Sequence, residues 1–392
     1  QPDGKILVAG STWSYSYSSS VHDFFVMRLN SNGSTDATFD TDGVATIGGG
    51  RQAVARDLTL LSNGQMVVSG WSDAGFKSNV LVTKFNADGS PDTTFDGDGR
   101  ALAALSDSVQ FRNGGEAHVV LADGSIVVSA SSRLIKFGAN GVQDTAAFRN
   151  VMATSVSDIV ALSGDNLLLA GQVSGRFGVA EVDADRKLLI TFSGDGLAPV
   201  EFGNSDDIAG RSIQQRNGRI VVASTSLNTF AVTRYLPTGA LDTTFSQDGK
   251  VTINFGARYL NASASDVAVQ ADGRIVVVGY VAQVDRPDQM TVSNHIAVAR
   301  LNARGTLDTT FGTNGMVVTQ LNGYARATTV KIQSNGRIVV GGQGNGGYFT
   351  LLRYLANGTL DNSFSGVRVQ TIYNSNVNAS VLSDLVIRRD GK

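Results

Sequence analysis

The chain has 392 residues, of which 42% are hydrophobic and 17% charged, so it holds enough apolar material for a packed core. The formal net charge of −2 provides no basic field for nucleic acid or an anionic membrane, and no apolar run approaches the roughly 18 residues of a membrane helix. The absence of cysteine excludes disulfides and thiolate chemistry. The high glycine count, 45 against 5 prolines, indicates many tight turns.

An Asp-Gly or Asn-Gly turn followed by an apolar strand recurs along the whole sequence. The copies lie at 1–10, 61–70, 121–130, 215–224, 270–279 and 333–342, with a degenerate copy at 162–171, and a last turn stands at Asp390-Gly391. Seven periods of about 55 residues follow from this spacing, which is typical of a repeat architecture.

Each period contains four short segments with the composition of β-strands. One precedes the turn, as at 265–270, and one is the apolar segment after it. A third resembles 230–235, and the last, such as 250–254, follows two further glycine turns. These segments are rich in β-branched and aromatic residues and are bounded by turn residues. The sequence therefore predicts an all-β, seven-bladed β-propeller of four-stranded antiparallel blades.

The two ends of the sequence complement each other. The first period lacks the strand before its turn, and residues 382–389 match that missing strand. We predict that they complete blade 1 together with residues 1–50 or so, which places Leu385 near Ile6 and removes the free sheet edges of an open array. A β-solenoid is the competing repeat fold, but its coils are usually shorter and need end caps. Since no linker interrupts the periodicity, we predict a single domain over 1–392.

A cation on the third strand of a period is followed eight residues later by an acid. In the fourth period Glu181 and Leu189 replace both together, which indicates that the two side chains are in contact. We predict structural salt bridges that pin the loop between third and fourth strands, with a phenylalanine after the acid inserted between blades. A ring of repeated acidic sites is the functional alternative. The predicted pairs are Arg28/Asp36, Lys84/Asp92, Lys136/Asp144, Arg234/Asp242, Arg300/Asp308 and Arg353/Asp361.

These motifs resemble the delta-60 repeat family, bacterial repeats of unknown function assigned to a β-propeller group. The resemblance rests on the Gln-x-Asp-Gly-Lys/Arg-Ile-Val-Val-x-Gly segment and on its continuation, which is almost complete at 296–315. It covers nearly the whole chain, with the third and fourth repeats as weak copies. It implies a bacterial secreted or cell-surface protein, often large and multidomain, and supplies no catalytic residue.

Catalytic and metal-binding patterns are weak. The turns at 40–43 and 96–99 begin like calcium loops, but neither continues with the residues that an EF-hand requires, so ordinary hairpin turns are the favoured interpretation. The isolated His22, His118 and His295 form no recognisable triad or metal pattern. We therefore expect no catalytic residue, no metal and no cofactor, with calcium at the Asp-Gly turns as the disfavoured alternative.

The loops between second and third strands differ from period to period, and we expect them to share one face of the propeller. Aromatic rings with polar tips suit recognition of glycans or proteins. Solvated loop decoration is the alternative for any one residue. The predicted ligand-binding residues are Trp13, Tyr15, Tyr17, Trp71, Tyr280, Asp285, Arg286 and Tyr348.

The sequence thus predicts a non-enzymatic binding or scaffold module of a bacterial secreted or cell-surface protein. We expect it to recognise protein or carbohydrate through the variable loops, as a monomeric part of a larger chain without nucleic-acid binding or membrane insertion. The alternative is a carbohydrate-active lyase or hydrolase with a site at the central channel. A spacer without any ligand is the third possibility.

Overall fold

The computed structural model describes most of the chain. The described residues are 4–16, 19–48, 52–73, 78–104, 114–150, 155–173, 176–202, 208–286, 291–321, 323–344, 349–364, 370–371 and 379–387.

Nearly all regular structure in these residues is β-strand. The strands of the first half are β1 (Ile6–Ser16), β2 (Ser19–Leu29), β3 (Val44–Gly48), β4 (Gln52–Leu60), β5 (Met66–Asp73), β6 (Ser78–Phe85), β7 (Arg100–Ala104), β8 (Gly114–Val120), β9 (Ile126–Ala130), β10 (Arg133–Phe137), β11 (Gln143–Asn150), β12 (Ser155–Ala161), β13 (Leu167–Val173), β14 (Arg176–Val182) and β15 (Leu197–Pro199). Those of the second half are β16 (Ile208–Gln214), β17 (Ile220–Ser226), β18 (Thr229–Tyr235), β19 (Lys250–Ile253), β20 (Tyr259–Val269), β21 (Ile275–Arg286), β22 (Thr291–Leu301), β23 (Met316–Thr319), β24 (Arg326–Ile332), β25 (Ile338–Gln343), β26 (Phe349–Tyr354), β27 (Gln370–Thr371) and β28 (Ala379–Ile387). A single 3₁₀ turn, Ser163–Asp165, is the one helical segment within the described ranges.

The strands form seven four-stranded antiparallel sheets, and the fold is a seven-bladed β-propeller, as predicted. Blade 1 has the order β28-β1-β2-β3, and blades 2 to 7 each take four strands consecutive in sequence. In the part of the chain that the structure describes, no helix is long and apolar enough to cross a membrane.

The chain divides into two compact units, each described here by itself. The first comprises 1–167, 183–187 and 372–392, and the second 168–182 and 188–371. A single domain over the whole chain stays a prediction.

In the first unit, β28 closes blade 1 beside β1. Ile6 pairs with Ile387 and Val8 with Leu385, so Leu385 lies two register positions from Ile6. Leu385 is fully buried. The prediction that the last strand completes blade 1 is therefore confirmed, and the hydrogen-bonding edge of β1 is covered.

In the second unit, blade 6 carries the longest strands. β20 and β22 have 11 residues and β21 has 12, whereas β23 has 4. The start of β21, Ile275–Val278, is fully buried and contributes to the cores on both sides of the sheet. The far ends of the three long strands are less buried, and they provide the frame for a polar and aromatic surface.

Candidate functional site

Five of the six predicted cation–acid pairs are in contact in the described residues. In blade 6, Arg300 Nε lies 2.8 Å from Asp308 Oδ2. The guanidinium also donates to the hydroxyl of Thr310 at 3.2 Å and to the carbonyl of Ala356 in blade 7, and it lies over the Phe311 ring at 4.6 Å. Arg300 therefore orders its own loop and reaches the next blade, as Arg28 and Arg234 also do. The other contacts are Arg28–Asp36 at 2.6 Å, Lys84–Asp92 at 3.1 Å, Arg234–Asp242 at 2.8 Å and Arg353–Asp361 at 2.8 Å.

The same acids receive a second polar group that sequence reasoning missed. It comes from the residue directly after the repeated turn glycine, as with Arg274 Nε, 2.9 Å from Asp308 Oδ2. The signal for this contact is the Lys or Arg in the turn motif itself, which on its own indicates only a turn. The equivalent contacts are Lys5–Asp36, Arg219–Asp242 and Arg337–Asp361, and Gln65 donates an amide hydrogen bond to Asp92.

Burial and partners act in opposite directions on these carboxyl groups. Burial of Asp36 raises its pKa, but hydrogen bonds from Lys5, Thr38 and Arg28 outweigh burial and hold the pKa well below its usual range. The acids are therefore stably ionised structural groups, which suits the predicted structural role better than acid–base chemistry.

Blades 3 and 4 depart from the pattern. Lys136 lies 3.8 Å from Asp123, while Asp144 stands opposite Lys136 in the β10–β11 register. No Asp-Gly turn follows Asp144 in the sequence, so the chain continues as β11 where other blades form a loop. In blade 4 the Leu189 N–H still donates to the Glu181 carbonyl at 2.9 Å, which shows that the loop backbone forms without the ion pair.

A buried Ser-His-Asp cluster in the first unit has the composition of a catalytic triad but a different geometry. Ser69 Oγ and Asp57 Oδ2 both approach Nδ1 of His118, at 2.8 and 3.4 Å. A triad places serine and aspartate on opposite ring nitrogens. Asp57 also accepts the backbone N–H of His118 at 2.8 Å, and Asp266 accepts that of Val330 in the same way in the second unit. These aspartates therefore join the first strands of neighbouring blades.

The strongest candidate for a ligand site lies at the far ends of the long blade 6 strands. We call it the blade 6 surface, and it comprises side chains from both faces of the sheet at this end: Arg258, Tyr259, Tyr280, Gln283, Asp285, His295, Tyr324 and Arg326. The β20–β21 register places Tyr259 opposite Gln283, and the β21–β22 register continues to Arg286 opposite Thr291. The Ala325 N–H donates to the Asn294 carbonyl at 2.9 Å, which brings the start of blade 7 beside β22.

Arg326 is held between two tyrosine rings. Its guanidinium carbon lies 4.5 Å from the centroid of Tyr280 and 4.6 Å from that of Tyr324. Cation–π attraction to both rings holds the guanidinium in position. Tyr324 remains 38% exposed, so the stack is open to solvent on one side.

Arg258 forms a second cation–π unit at the same strand ends, on the other face of the sheet from Tyr280. It lies over the Tyr259 ring at 4.8 Å and donates to Gln283 Oε1 at 2.9 Å. Gln320 donates to the same oxygen at 3.4 Å. Leu260 and Val292 are exposed at these strand ends, so the surface combines apolar, aromatic and hydrogen-bonding groups.

Asp285 and His295 provide the titratable groups of the blade 6 surface. Asp285 accepts a hydrogen bond from Ser293. His295 is 5% exposed, and neither ring nitrogen has a hydrogen-bond partner. Burial lowers the pKa of His295 below 6.5, and the nearby Asp285 only partly offsets this effect, so the imidazole is neutral at pH 7.

The predicted ligand residues fall in different places. Tyr280 and Asp285 lie on the blade 6 surface, and Arg286 ends β21, although its side chain is outside the described part. Trp71 is buried, with 6% of its surface exposed, and so packs in the first unit. Trp13 and Tyr15 lie in β1 with side chains outside the described part, and Tyr17 and Tyr348 lie outside the described residues. Sequence reasoning missed Arg258, Tyr259, Tyr324 and Arg326, because they belong to first strands and to the connections that precede them.

The Asp-Gly turns use their acids locally. Asp42 Oδ1 accepts the Val44 N–H at 2.8 Å, and Asp98 Oδ1 accepts the Arg100 N–H at 2.9 Å. Within the described ranges, no group of three or more His, Asp or Glu side chains is arranged to hold a metal ion. The expectation of ordinary hairpin turns without calcium stays a prediction.

The repeat also matches a known family model. Five segments, 1–39, 61–95, 215–245, 270–311 and 333–364, match the domain of unknown function DUF5122 beta-propeller. They cover a little under half of the chain. The match supports a bacterial β-propeller repeat domain of unknown function, and the delta-60 name stays a prediction. No curated protein matches the sequence.

Several solved structures share the fold at low sequence identity. A protein from Lactobacillus plantarum has a TM-score of 0.53 at 12% identity, over 98% of this chain and 99% of that one. An ulvan lyase, a polysaccharide lyase bound to a GlcA–Rha3S saccharide, has a TM-score of 0.50 at 12% identity, over 76% and 80%. Virginiamycin B lyase from Staphylococcus aureus has a TM-score of 0.49 at 8% identity, over 79% and 83%.

These structures correct one expectation from the sequence. The prediction that the protein is not an enzyme is wrong as it stands, because the propellers that share its fold include a polysaccharide lyase. A fold of this kind carries many unrelated functions, so it provides no ground for excluding catalysis.

Proposed function

We propose that this β-propeller recognises carbohydrate through the blade 6 surface, as a module of a bacterial secreted or cell-surface protein. The observation that carries the proposal is the Arg326 guanidinium between the rings of Tyr280 and Tyr324. Aromatic rings offer flat apolar faces to the C–H groups of a sugar, and fixed guanidinium and amide groups donate to its hydroxyl oxygens.

The rigidity of the blade 6 surface supports binding. Most of its side chains lie on paired strands, Arg258 and Tyr324 lie in the short connections next to them, and both arginines are held by stacking. Groups held in position before binding lose little conformational entropy on binding. A protein ligand is the competing possibility, since tyrosine and arginine are also enriched in protein interfaces.

A glycan array followed by titration of the positive glycans tests the proposal. The variants are Tyr324→Ala and Arg326→Ala, with Arg304→Ala as the matched control, because Arg304 is exposed in the turn after β22. We expect the first two variants to lose glycan binding and the control to keep it. Product analysis of each bound glycan shows whether it is also cleaved.

Two further measurements separate the alternatives. A chain shortened within 14–20 tests the blade 1 prediction, and no loss of binding would remove that loop from the site. Capture of a protein ligand that depends on Tyr324 and Arg326, with no glycan bound, would replace carbohydrate by protein recognition.

A further inference from the structure

We propose that the ligand of the blade 6 surface is an acidic polysaccharide whose carboxylate or sulfate-ester groups are bound by Arg326 and Arg258. This inference rests on the proposed function and narrows its substrate class. Both groups are oxyanions attached to a sugar ring, planar in the carboxylate and tetrahedral in the sulfate ester.

The first argument is that Arg326 has no acidic partner among the described residues. Its Nε is buried without a hydrogen-bond partner, and no described carboxylate lies within 4.0 Å of the guanidinium. By contrast, the third-strand arginines of this protein, such as Arg300, place Nε directly on an aspartate. With tyrosines on both faces, Arg326 has only its in-plane N–H groups left for a partner. An oxyanion arriving in that plane accepts two hydrogen bonds from the nitrogen pair at the end of the guanidinium.

The second argument is that Arg258 repeats this arrangement at the same strand ends, on the other face of the blade 6 sheet. It is exposed, it stacks on Tyr259, and its polar partner is the neutral Gln283 rather than an acid. Because Gln283 Oε1 is occupied by two donors, the NH₂ group of that side chain remains to donate outward. Two cations thus lack a carboxylate among the described residues of this surface.

The acid on this surface does not cancel these charges. Asp285 accepts from Ser293, and the described structure places no arginine or lysine nitrogen within 4.0 Å of it. The blade 6 surface is therefore locally basic on a chain whose net charge is −2. A local basic patch with aromatic stacking fits an acidic saccharide better than a long polyphosphate, which needs an extended basic track.

The experiment uses the full chain and three polysaccharides that separate charge from backbone: polygalacturonate, dextran sulfate and neutral dextran. Affinity is measured by titration calorimetry in low and high salt. We expect polygalacturonate or dextran sulfate to bind at least about tenfold more tightly than dextran, because each charge-assisted hydrogen bond contributes well over a tenfold preference. Added salt should weaken the charged ligands selectively. Comparison of the affinities for polygalacturonate and dextran sulfate shows which oxyanion is preferred.

Arg326→Gln and Arg258→Gln should each reduce affinity for the charged ligand about tenfold or more, whereas Arg304→Gln should leave it unchanged. Arg326→Lys keeps the charge but loses the planar pair of donors, so a clear loss in this variant points to bidentate recognition. Because Arg258 is exposed, its variant keeps the test informative even if Arg326→Gln disturbs packing.

The outcomes distinguish the two proposals. Equal binding of dextran and the charged polymers, lost in Tyr324→Ala but not in the arginine variants, would overturn the oxyanion and keep carbohydrate recognition. Binding of none of the three polymers, together with a negative glycan array, would overturn both.

Discussion

Phe245 of blade 5 lies directly against Gly305 in the turn of blade 6. A Cβ on Gly305 would stand 2.9 Å from the phenylalanine ring, and the residue has a φ of +90°. The neighbouring Ser246 N–H donates to the Arg304 carbonyl at 2.8 Å. One ring and one backbone hydrogen bond therefore connect the two blades. The same Phe–Gly contact recurs at Phe39–Gly89, Phe95–Gly141, Phe192–Gly239 and Phe311–Gly358.

Substitution of Gly305 by alanine should destabilise the second unit in two ways. The left-handed backbone costs about 1 kcal/mol, and the clash with Phe245 adds roughly 1–3 kcal/mol. Gly194 has the same φ of +90° with no atom within 4 Å of its Cβ position, so Gly194→Ala measures the backbone effect alone. Urea denaturation of both variants gives the difference. Equal losses would show that the ring contact has no steric role.

Removal of the Asp308 carboxylate should destabilise the protein strongly. Asp308 accepts from Arg300 and Arg274, and Arg300 is 3% exposed, so Asp308→Ala leaves a buried cation without its partner. The expected loss is about 3–5 kcal/mol. Asp272→Ala is the control, because Asp272 forms an exposed ion pair with the same Arg274 and should contribute about 0–1 kcal/mol. Similar losses in both variants would argue against the buried network.

Acid should weaken the same network. Burial raises the pKa of Asp308, but its hydrogen bonds and the two arginines outweigh burial and place the pKa below 3.8. A depressed pKa in the folded state stabilises the protein above the unfolded value, and this stability is lost as the pH falls below it. The unfolding temperature of the wild type should therefore decrease when the pH is lowered below about 4. The unfolding temperature of Asp308→Asn should decrease less steeply. An identical pH slope in the variant would assign the acid sensitivity to other groups.

His295 should make stability depend on pH in a range above that of Asp308. Since burial lowers its pKa below 6.5, the unfolded chain binds the proton more readily than the folded chain. Stability should therefore decrease as the pH falls from 7 through 6.5 and below. In His295→Gln the unfolding temperature should change less between pH 7 and 5 than in the wild type, as measured by calorimetry at each pH. A wild-type unfolding temperature that rises with acidification would contradict this sign.

Removal of residues 379–392 should expose the edge of β1 over Ile6–Trp13. The loss of Leu385 from the core and the unpaired strand edge should lower the unfolding temperature and promote aggregation. Removal of 388–392 alone is the control, because it leaves β28 complete. Light scattering and thermal unfolding compare the two chains. An unchanged unfolding temperature in the longer truncation would show that β28 contributes little to blade 1.

Much of the blade structure could be predicted from the sequence because its determinants are local. The turn glycines, the apolar segments and the spacing of Arg300 and Asp308 repeat in each regular blade, so one chain contains its own comparison. Lys136 and Asp144 follow the same spacing, but Asp144 lies on β11 because no turn follows it. A spacing rule therefore holds only where the surrounding turns are also present.

The candidate site was predictable only in part. Tyr280 and Asp285 stood out because they lie in a long variable segment, whereas nothing local marked Tyr324, Arg326 or Arg258 as their neighbours. Trp71 stood out as a large aromatic residue, yet it is buried in the first unit. Whether an aromatic side chain is displayed or packed depends on the strands around it.

The number of blades, the closure of blade 1 by its last strand and the recurring ion pairs can be read from the amino-acid sequence, because each follows from motifs repeated at a regular interval. The stacking of Arg326 between Tyr280 and Tyr324, and the contact of both Arg258 and Gln320 with Gln283, emerge only in the folded molecule. Those contacts join residues from different strands and from successive blades. They depend on the register of β20, β21 and β22 and on the approach of β24, which arise from packing over the whole sheet and leave no pattern at a fixed spacing along the chain.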